Sequence, residues 1–399
     1  MTRPTLILRL RAELRDAAWL RRGRVIGLSG ALLAVQAILL AAVVAWESGV
    51  FGPSRSPFVS DFPSFYAAGS LALQGLPELA YDETAHWFAE QALGGDGPYV
   101  YFFYPPPFLL LCAPLALLPY WVALVLFEAA SLAAYALVAC RIAGAAWCLP
   151  ALAFPAVFWC AGLGQNSFLT AALFGAATLL VDRRPVWSGV LFGLLCYKPH
   201  FGLLVPIALA AGGHRRAFCA AAATLCTVVG ATIGLFGFET WLHYLDALSA
   251  AARLYGSDTI FLAGYVSPFG AARLAGMAAG QALTLQLPVS LAAASIVALL
   301  WRRKTRQPLR AAVLIGGTLL SVPVALLYDL TLVSICIAWL VRDAADQGFR
   351  GGEKYLLALI YPLAFATLGT GWMVHFSAGV LAPAIILGLS LRRAGTIAA

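Results

Sequence analysis

Residues 60–69 read SDFPSFYAAG and residues 101–107 read YFFYPPP, and these two motifs lie at either end of a long polar stretch. The stretch runs from about residue 47 to residue 105 and separates the first apolar run from all later ones. It is acidic and rich in Gly, Pro, Ser and Asp, the residues that favour turns. A second, shorter polar stretch covers residues 238–265. Because so apolar a chain offers few places for aqueous chemistry, we predict that its chemistry lies in these stretches.

The composition is that of an integral membrane protein. Hydrophobic residues make up 62% of the 399 residues, and charged residues only 11%. The mean hydropathy is +0.85, whereas about a quarter of the residues in a soluble domain are charged. Gly and Pro recur within the apolar runs, as membrane helices tolerate, and the alternating strands of an outer-membrane barrel are absent from the sequence. We therefore predict an all-α polytopic membrane protein.

The net charge of +8 indicates a topology rather than a nucleic-acid partner. Most of the 26 lysines and arginines fall between apolar runs, in segments that we assign to the inner side, which is the positive-inside pattern. We expect a multi-pass protein of a bacterial inner membrane, with both termini cytoplasmic and the two polar stretches periplasmic. The few cations left on the outer side are then of special interest: Arg55, Lys198, Arg253 and Arg273.

The chain divides into a basic amphipathic segment, residues 1–24, and one transmembrane domain, residues 25–399. The first predicted span is 25–46, and two interfacial helices are predicted in the first outer stretch, at 63–74 and 82–93. Counting every apolar run as a span gives an odd number. Both termini, however, carry the basic residues typical of the inner side, which requires an even number of spans. We predict about 12 spans, with at least one run between 106 and 163 not crossing fully and residues 266–282 re-entrant or spanning. The later runs are 107–119, 121–140, 146–162, 166–181, 186–197, 199–212, 217–236, 284–301, 310–327, 330–342, 354–370 and 374–391.

The eight cysteines show no CxxC pair, and most lie within apolar runs. We therefore expect the cysteines to be buried, unpaired and packed as small hydrophobic residues, since neither a zinc site nor a disulfide framework is indicated.

Asp61 follows the first span and is flanked by aromatic residues. A carboxylate at a low-dielectric boundary can serve as a general base when a hydroxyl reaches it. The alternative is an N-cap for the helix that begins at Pro63, since Pro is favoured in the first helical turn. Asp82 fits a cap better than a catalytic role.

Lys198 lies between two apolar runs, at an outer helix end, and His200 follows it closely. An intramembrane cation is costly and usually functional, so an anionic head group is one possible partner, with His200 as a further donor. In the alternative reading, Lys198 reaches up to lipid phosphates. Arg253 and Arg273 are weaker candidates of the same kind.

Three further polar groups interrupt apolar sequence. Gln165 and Asn166 are able to bind sugar hydroxyls or simply to cap the helix that follows. Asp329 divides two apolar runs and either binds substrate or pairs with a cation such as Lys198. Glu128 lies amid apolar residues and must face a polar interior or be protonated.

The order of these motifs resembles that of glycosyltransferase family 87. The resemblance covers roughly residues 25–345, and each motif alone is short. It rests on Asp61-Phe62 followed by Tyr-Ala-Ala-Gly, Gly75, Tyr81-Asp82, Tyr104-Pro-Pro-Pro, Pro114, Leu118-Pro119-Tyr120, Gly164-Gln165-Asn166, Gly189 to Lys198-Pro199, and Tyr328-Asp329.

The resemblance implies a GT-C-type membrane enzyme that uses a polyprenyl-phosphate sugar, mannose above all, as its donor. Asp61 would be the general base in an inverting transfer to a lipid or glycan hydroxyl, and Lys198, with His200 or Arg253, would hold the leaving phosphate. It implies no cofactor and no metal, because Ser60 stands where some relatives carry a second acid. Its candidate substrate-binding residues are Tyr66, Tyr81, Tyr104, Gln165, Asn166, Lys198, His200, Arg253, Tyr328 and Asp329.

Two other classes stay open at this point. A lipid or solute transporter or flippase would account for the many broken apolar runs, although not for the long acidic stretch. An inactive scaffold is the third reading.

Overall fold

The computed structural model describes residues 17, 19–47, 60–93, 99–257 and 262–395. These residues form α-helices, short 3₁₀ turns and a single isolated β-bridge, so the predicted all-α polytopic class is confirmed. Most of the predicted segment 1–24 lies outside the described residues. The α-helices are α1 (Arg22–Glu47), α2 (Phe62–Leu73), α3 (Glu83–Gln91), α4 (Leu109–Ala116), α5 (Tyr120–Ala143), α6 (Cys148–Leu152), α7 (Pro155–Leu163), α8 (Ser167–Leu180), α9 (Pro185–Gly193), α10 (Val205–Ala211), α11 (Arg215–Phe236), α12 (Phe238–Gly256), α13 (Pro268–Leu274), α14 (Ala279–Arg302), α15 (Gln307–Ser321), α16 (Thr331–Gln347), α17 (Glu353–Val374) and α18 (Leu381–Gly395).

Six helices of the described chain are long and apolar enough to cross a membrane, or seven if the bent pair of α6 and α7 counts as one span. This pair is bent by 61°. The eight residues of α4 extend only about 12 Å, far less than the roughly 30 Å of a bilayer core. The count of twelve spans stays a prediction.

The centre of the protein is formed by α15 and α16. Every residue from Leu309 to Ser321 is buried, and so are most residues of α16. A helix that is apolar all round belongs in a core, and α8, α14 and α18 pack around these two. By contrast, α11 buries only Ala217 and Thr232, so it is a peripheral helix facing outward.

The first outer stretch contains the two predicted helices. α2 packs so closely on α4 that a Cβ at Gly69 would lie 2.2 Å from the carbonyl oxygen of Cys112, and this explains the glycine. Asp82 caps α3, its Oδ1 accepting from the Ala85 N–H at 2.8 Å, as predicted.

Most of the second polar stretch is the 19-residue helix α12. Its polar residues alternate with apolar ones at helical spacing, which favours an amphipathic helix. Residues 258–261 lie outside the described chain. Within 266–282 the structure has the seven-residue α13, too short to span, and the start of α14 at Ala279.

An isolated antiparallel bridge joins Tyr265 to Leu326, and the Val266 N–H donates to the Ala325 oxygen at 2.9 Å. The end of the second outer stretch is thereby fixed to the segment that leads into Asp329.

The cysteine prediction needs one correction, since Cys140 and Cys148 are joined by a disulfide. α5 ends at Ala143, and Gly144, with φ of +89°, reverses the chain. The two Cα atoms are thereby brought to 5.0 Å. The sequence gives no sign of this turn other than the glycine itself.

Candidate functional site

The site forms where four segments meet, and each of them begins or ends a helix. They are the start of α2, the turn between α7 and α8, the break between α9 and α10, and the 3₁₀ turn Leu327–Leu330 before α16. Residues at such points have backbone and side chains free of regular helical packing, so polar groups can converge there.

The turn at Gly164 holds the start of α2 in place. The Asp61 N–H donates to the Leu163 oxygen at 2.7 Å. Gly164 adopts φ of +63°, and a Cβ there would lie 2.8 Å from the Cβ of Phe62 and 3.2 Å from Oγ of Ser60. Only glycine satisfies both the left-handed backbone and this close approach.

The Asp61 carboxylate does not cap α2, although Asp61 occupies the N-cap position. Its Oδ2 instead accepts a 2.8 Å hydrogen bond from Nε2 of Gln165. Burial raises the pKa of Asp61 to about 6, while the Gln165 bond and the charge of Lys198 act in the opposite direction. A carboxyl that titrates near neutral pH is suited to general-base chemistry, and the capping alternative for Asp61 loses its basis.

Gln165 is itself oriented by two donors. Its Oε1 accepts from the Tyr104 hydroxyl at 3.3 Å and from the Asn166 N–H at 3.1 Å. Burial raises the pKa of Tyr104 well above its usual value, so the hydroxyl stays protonated and remains a donor. The amide group of Gln165 is thereby fixed with its NH₂ toward Asp61.

Lys198 and Asp329 form a buried ion pair next to this carboxylate. The distance from Nζ to Oδ1 is 2.7 Å, and the two residues are only 4% and 3% exposed. Ser167 Oγ donates to the same Oδ1 at 2.6 Å, and Oδ2 accepts from the Leu326 N–H at 3.0 Å. Lys198 therefore does not reach up to lipid phosphates. Of the two alternatives for Asp329, pairing with Lys198 is the observed one.

Two aromatic faces complete the surroundings of the ammonium group. Nζ of Lys198 lies 5.1 Å from the ring centre of Phe201 and 5.4 Å from that of Tyr328. Such contacts favour a cation in an otherwise apolar place. The sequence-predicted Tyr328 is thus part of the cluster.

Asn166 places a second amide group in the site, next to the Tyr104 hydroxyl, whose pKa it lowers against the larger effect of burial. It is 0% exposed, and neither Oδ1 nor Nδ2 has a hydrogen-bond partner. Buried amides are almost always paired, so this one is a candidate for binding a ligand, with one acceptor and two donors available.

Two predicted tyrosines use their hydroxyls elsewhere. Tyr66 donates to the Leu118 oxygen at 2.8 Å, and Tyr81 donates to the Tyr104 oxygen at 3.0 Å. Both contacts hold the outer stretch together, and the second indirectly positions Tyr104.

The two remaining candidates are His200 and Arg253. His200 is half-buried with its ring on Phe201, 4.6 Å between centroids. Arg253 is exposed near the end of α12. Its neighbour Tyr255 packs against Phe103, with 5.9 Å between the ring centroids, and burial and then the charge of Asp61 raise the pKa of Tyr255 to about 12.

Sequence reasoning missed Ser167 and Tyr255 as members of the site. Ser167 follows the two amides directly, and that adjacency was its only signal. Tyr255 stands in a polar stretch with several other aromatics and nothing in the sequence singles it out.

No three His, Cys, Asp or Glu side chains of the described ranges are grouped so that they could hold a metal ion. Metal independence itself stays a prediction.

Comparison with known families gives one match. The model of glycosyltransferase family 87 matches residues 102–328, more than half of the chain. The matched range includes Tyr104, Gln165, Asn166 and Lys198; Asp61 lies before it and Asp329 directly after it. No curated protein and no solved structure shows significant similarity to the chain.

Proposed function

Because the chain belongs to glycosyltransferase family 87, and so is a membrane glycosyltransferase, we propose that it transfers a hexose from a polyprenyl-phosphate sugar to a hydroxyl group. Mannose is the proposed sugar, and a lipid or glycan is the proposed acceptor. We place the reaction on the periplasmic face of a bacterial inner membrane, with both termini in the cytoplasm. Family membership argues against the transporter and scaffold readings.

The observation that carries the proposal is the Asp61 carboxylate, held by Gln165 beside the Lys198–Asp329 pair. The acceptor hydroxyl gives its proton to Asp61 as its oxygen attacks the anomeric carbon. The bond between that carbon and the phosphate oxygen breaks, and polyprenyl phosphate leaves with the bonding electrons. Attack opposite the leaving group inverts the anomeric centre.

Lys198 is proposed to neutralise the leaving phosphate. Its ammonium has three N–H donors. One donates to Asp329 at 2.7 Å and another points to Ser167 Oγ at 3.4 Å, which leaves one for a phosphate oxygen. A fixed cation at the point where charge develops lowers the barrier most in a water-poor site. The cation makes a divalent metal unnecessary in this proposal.

Asn166 is proposed to bind the sugar. Its unpaired amide lies next to Gln165 in the chain, and sugar hydroxyls both donate and accept. Pairing with a ligand would remove the cost of leaving both polar atoms buried and unsatisfied.

A half-open cavity, lined by apolar residues and by Glu78, offers a place for part of the isoprenoid chain. It has a volume of about 390 Å³ and lies between the end of α2, α4 and the outer end of α11. Its apolar lining includes Ala72, Leu110, Leu235 and Phe236. Since α11 is a candidate span, the cavity is beside the proposed lipid phase.

The test is transfer by the purified chain in detergent, with synthetic polyprenyl phosphate mannose, a membrane lipid extract as acceptor, and a chelator present. We expect release of polyprenyl phosphate and a mannosylated product, both lost in Asp61→Asn. The exposed Glu83→Gln on α3 is the matched control and should keep wild-type activity.

Each other outcome has a stated meaning. Transfer from another polyprenyl-linked sugar alone would replace mannose. Activity only without the chelator would overturn metal independence. Full activity in Asp61→Asn would remove Asp61 as the base.

A further inference from the structure

Helix α12 has three sides, and each presents a different surface. Successive residues are turned by about 100° around a helix axis, so residues four and seven positions apart share a side. The buried side consists of small or aromatic residues: Thr240, Tyr244, Ala247 and Ala251. A second side carries exposed charged or ionisable residues: Glu239, His243, Asp246 and Arg253. The third side is apolar and also exposed, and it consists of Phe238, Leu242, Leu245 and Leu248.

The apolar side is the unusual one. An amphipathic helix at the surface of a globular protein has one apolar face toward the core and one polar face toward water. In α12 the core is contacted by the first side and water is met by the second. Phe238, Leu242 and Leu245 are nevertheless 60%, 47% and 53% exposed. A row of large exposed apolar residues indicates a third environment, either a partner protein or a membrane.

The apolar side continues onto α11 across the single residue Gly237. α11 is long and apolar enough to cross a membrane, and it buries only Ala217 and Thr232. Its last turn carries Leu235, which is 69% exposed, and Gly237, with φ of +81°, then turns the chain into α12. Lipid that surrounds α11 therefore also reaches the apolar side of α12.

Side-chain hydrogen bonds fix the turn between the two helices. Nε1 of Trp241 donates to Oγ1 of Thr232 at 3.2 Å, and Oγ1 of Thr240 donates to the Phe236 oxygen at 2.6 Å. α12 is thereby held against the end of α11 with a tryptophan at the junction. Tryptophan is enriched where a membrane protein passes from lipid to water.

We propose that α12 is an interfacial helix, lying on the membrane at the outer end of α11. The apolar side enters the lipid, the side with Glu239, His243, Asp246 and Arg253 faces water and head groups, and the buried side contacts the protein. Lipid is favoured over a partner protein because the apolar side is continuous with a candidate span.

The buried side connects this membrane contact to the first outer stretch. The ring of Tyr244 lies 5.7 Å from that of Tyr81, and the Tyr81 hydroxyl donates to the Tyr104 oxygen at 3.0 Å. Membrane binding by α12 would therefore support the segment that carries Tyr104, whatever the reaction at Asp61.

The test is the depth of nitroxide labels on α12, measured by electron paramagnetic resonance. The chain is reconstituted into vesicles of phosphatidylethanolamine and phosphatidylglycerol. All samples carry alanine in place of Cys196, Cys219 and Cys226, the free cysteines that are not buried. Labels are placed at Leu245→Cys and, as the matched control, at Asp246→Cys, because these two exposed neighbours lie on different sides of the helix.

Collisions with oxygen, which accumulates in lipid, are compared with collisions with a nickel chelate, which stays in water. We expect the label at position 245 to meet oxygen and be shielded from nickel, at about 5–10 Å into the boundary between head groups and acyl chains. The label at position 246 should meet nickel. Leu242→Cys and His243→Cys form a second pair that should behave in the same way, and it decides the matter if Leu245→Cys does not fold.

Two results would overturn the interfacial position of α12. Equal access of nickel to positions 245 and 246 would place the apolar side in water. Exclusion of both reagents from position 245, with an immobilised label, would mean that a second copy of the chain covers it instead of lipid. The measurement needs no turnover, so its result is independent of the transfer assay.

Discussion

Nε2 of Gln165 donates a 2.8 Å hydrogen bond to Oδ2 of Asp61, across 104 positions of the chain. This bond favours the ionised form of a carboxylate that burial would otherwise protonate. It therefore lowers the pH limit below which Asp61 stops acting as a base, against the larger and opposite effect of burial.

Transfer by the wild-type chain should fall as the pH drops through about 6. The pKa of Asp61 is raised to about 6, and only its ionised form accepts the hydroxyl proton, so activity is present above that pH and lost below it. The measurement is the pH dependence of kcat/KM with donor and acceptor fixed. A rate that is flat from about pH 5 to pH 7 would contradict the role of Asp61.

Gln165→Leu should move this acid limit upward. Without the amide donor the pKa of Asp61 rises further, and a hydrogen bond to a charged group is worth about 1.5–3 kcal/mol, so a shift of about one pH unit is expected. At pH 7 the variant is slower, and at higher pH it recovers. The exposed Gln74→Leu is the control; a variant slowed equally at every pH would indicate lost positioning instead.

Gly164→Ala should destabilise the protein and reduce transfer. The left-handed backbone costs a non-glycine residue about 1–2 kcal/mol, and the added Cβ meets Phe62 at 2.8 Å. The melting temperature in detergent and the transfer rate should both fall. Gly230→Ala is the matched control, because nothing lies within 4 Å of a Cβ there. Equal effects of the two substitutions would mean that the close approach to Phe62 is unimportant.

Lys198→Met should lower the melting temperature strongly. It leaves the Asp329 carboxylate buried without its partner, and breaking a buried pair from one side costs about 3–5 kcal/mol. Adding Asp329→Asn should restore most of the stability.

Activity should behave differently in that double variant. If Lys198 neutralises the leaving phosphate, Lys198→Met with Asp329→Asn is folded but inactive. Recovery of transfer together with stability would limit the pair to a structural role.

The sequence predicted the local features well and the distant contacts poorly. The hydropathy pattern placed α1, α5 and α11 within a few residues, because a span of apolar residues has few alternatives in a bilayer. The flanking aromatics singled out Asp61, and the cost of an isolated charge singled out Lys198 and suggested Asp329 as its partner.

The features that the sequence did not predict depend on a reversal of the chain or on contacts between residues far apart in sequence. The link between Gln165 and Asp61 joins residues that share no local pattern, and Ser167 meets Asp329 across 162 positions. The sequence prediction contains no helix within the second polar stretch, although the polar and apolar residues of α12 alternate at helical spacing. The disulfide between Cys140 and Cys148 was not predicted, because the two residues meet only through the chain reversal at Gly144.

The bridge between Tyr265 and Leu326 has a mechanical consequence. Leu326 also donates its N–H to the Asp329 carboxylate. Tyr265, at the end of the second outer stretch, is thereby connected through Leu326 to Asp329, the partner of Lys198. A displacement of residues 262–265 would therefore be transmitted to the Lys198–Asp329 ion pair through the three residues that follow Leu326.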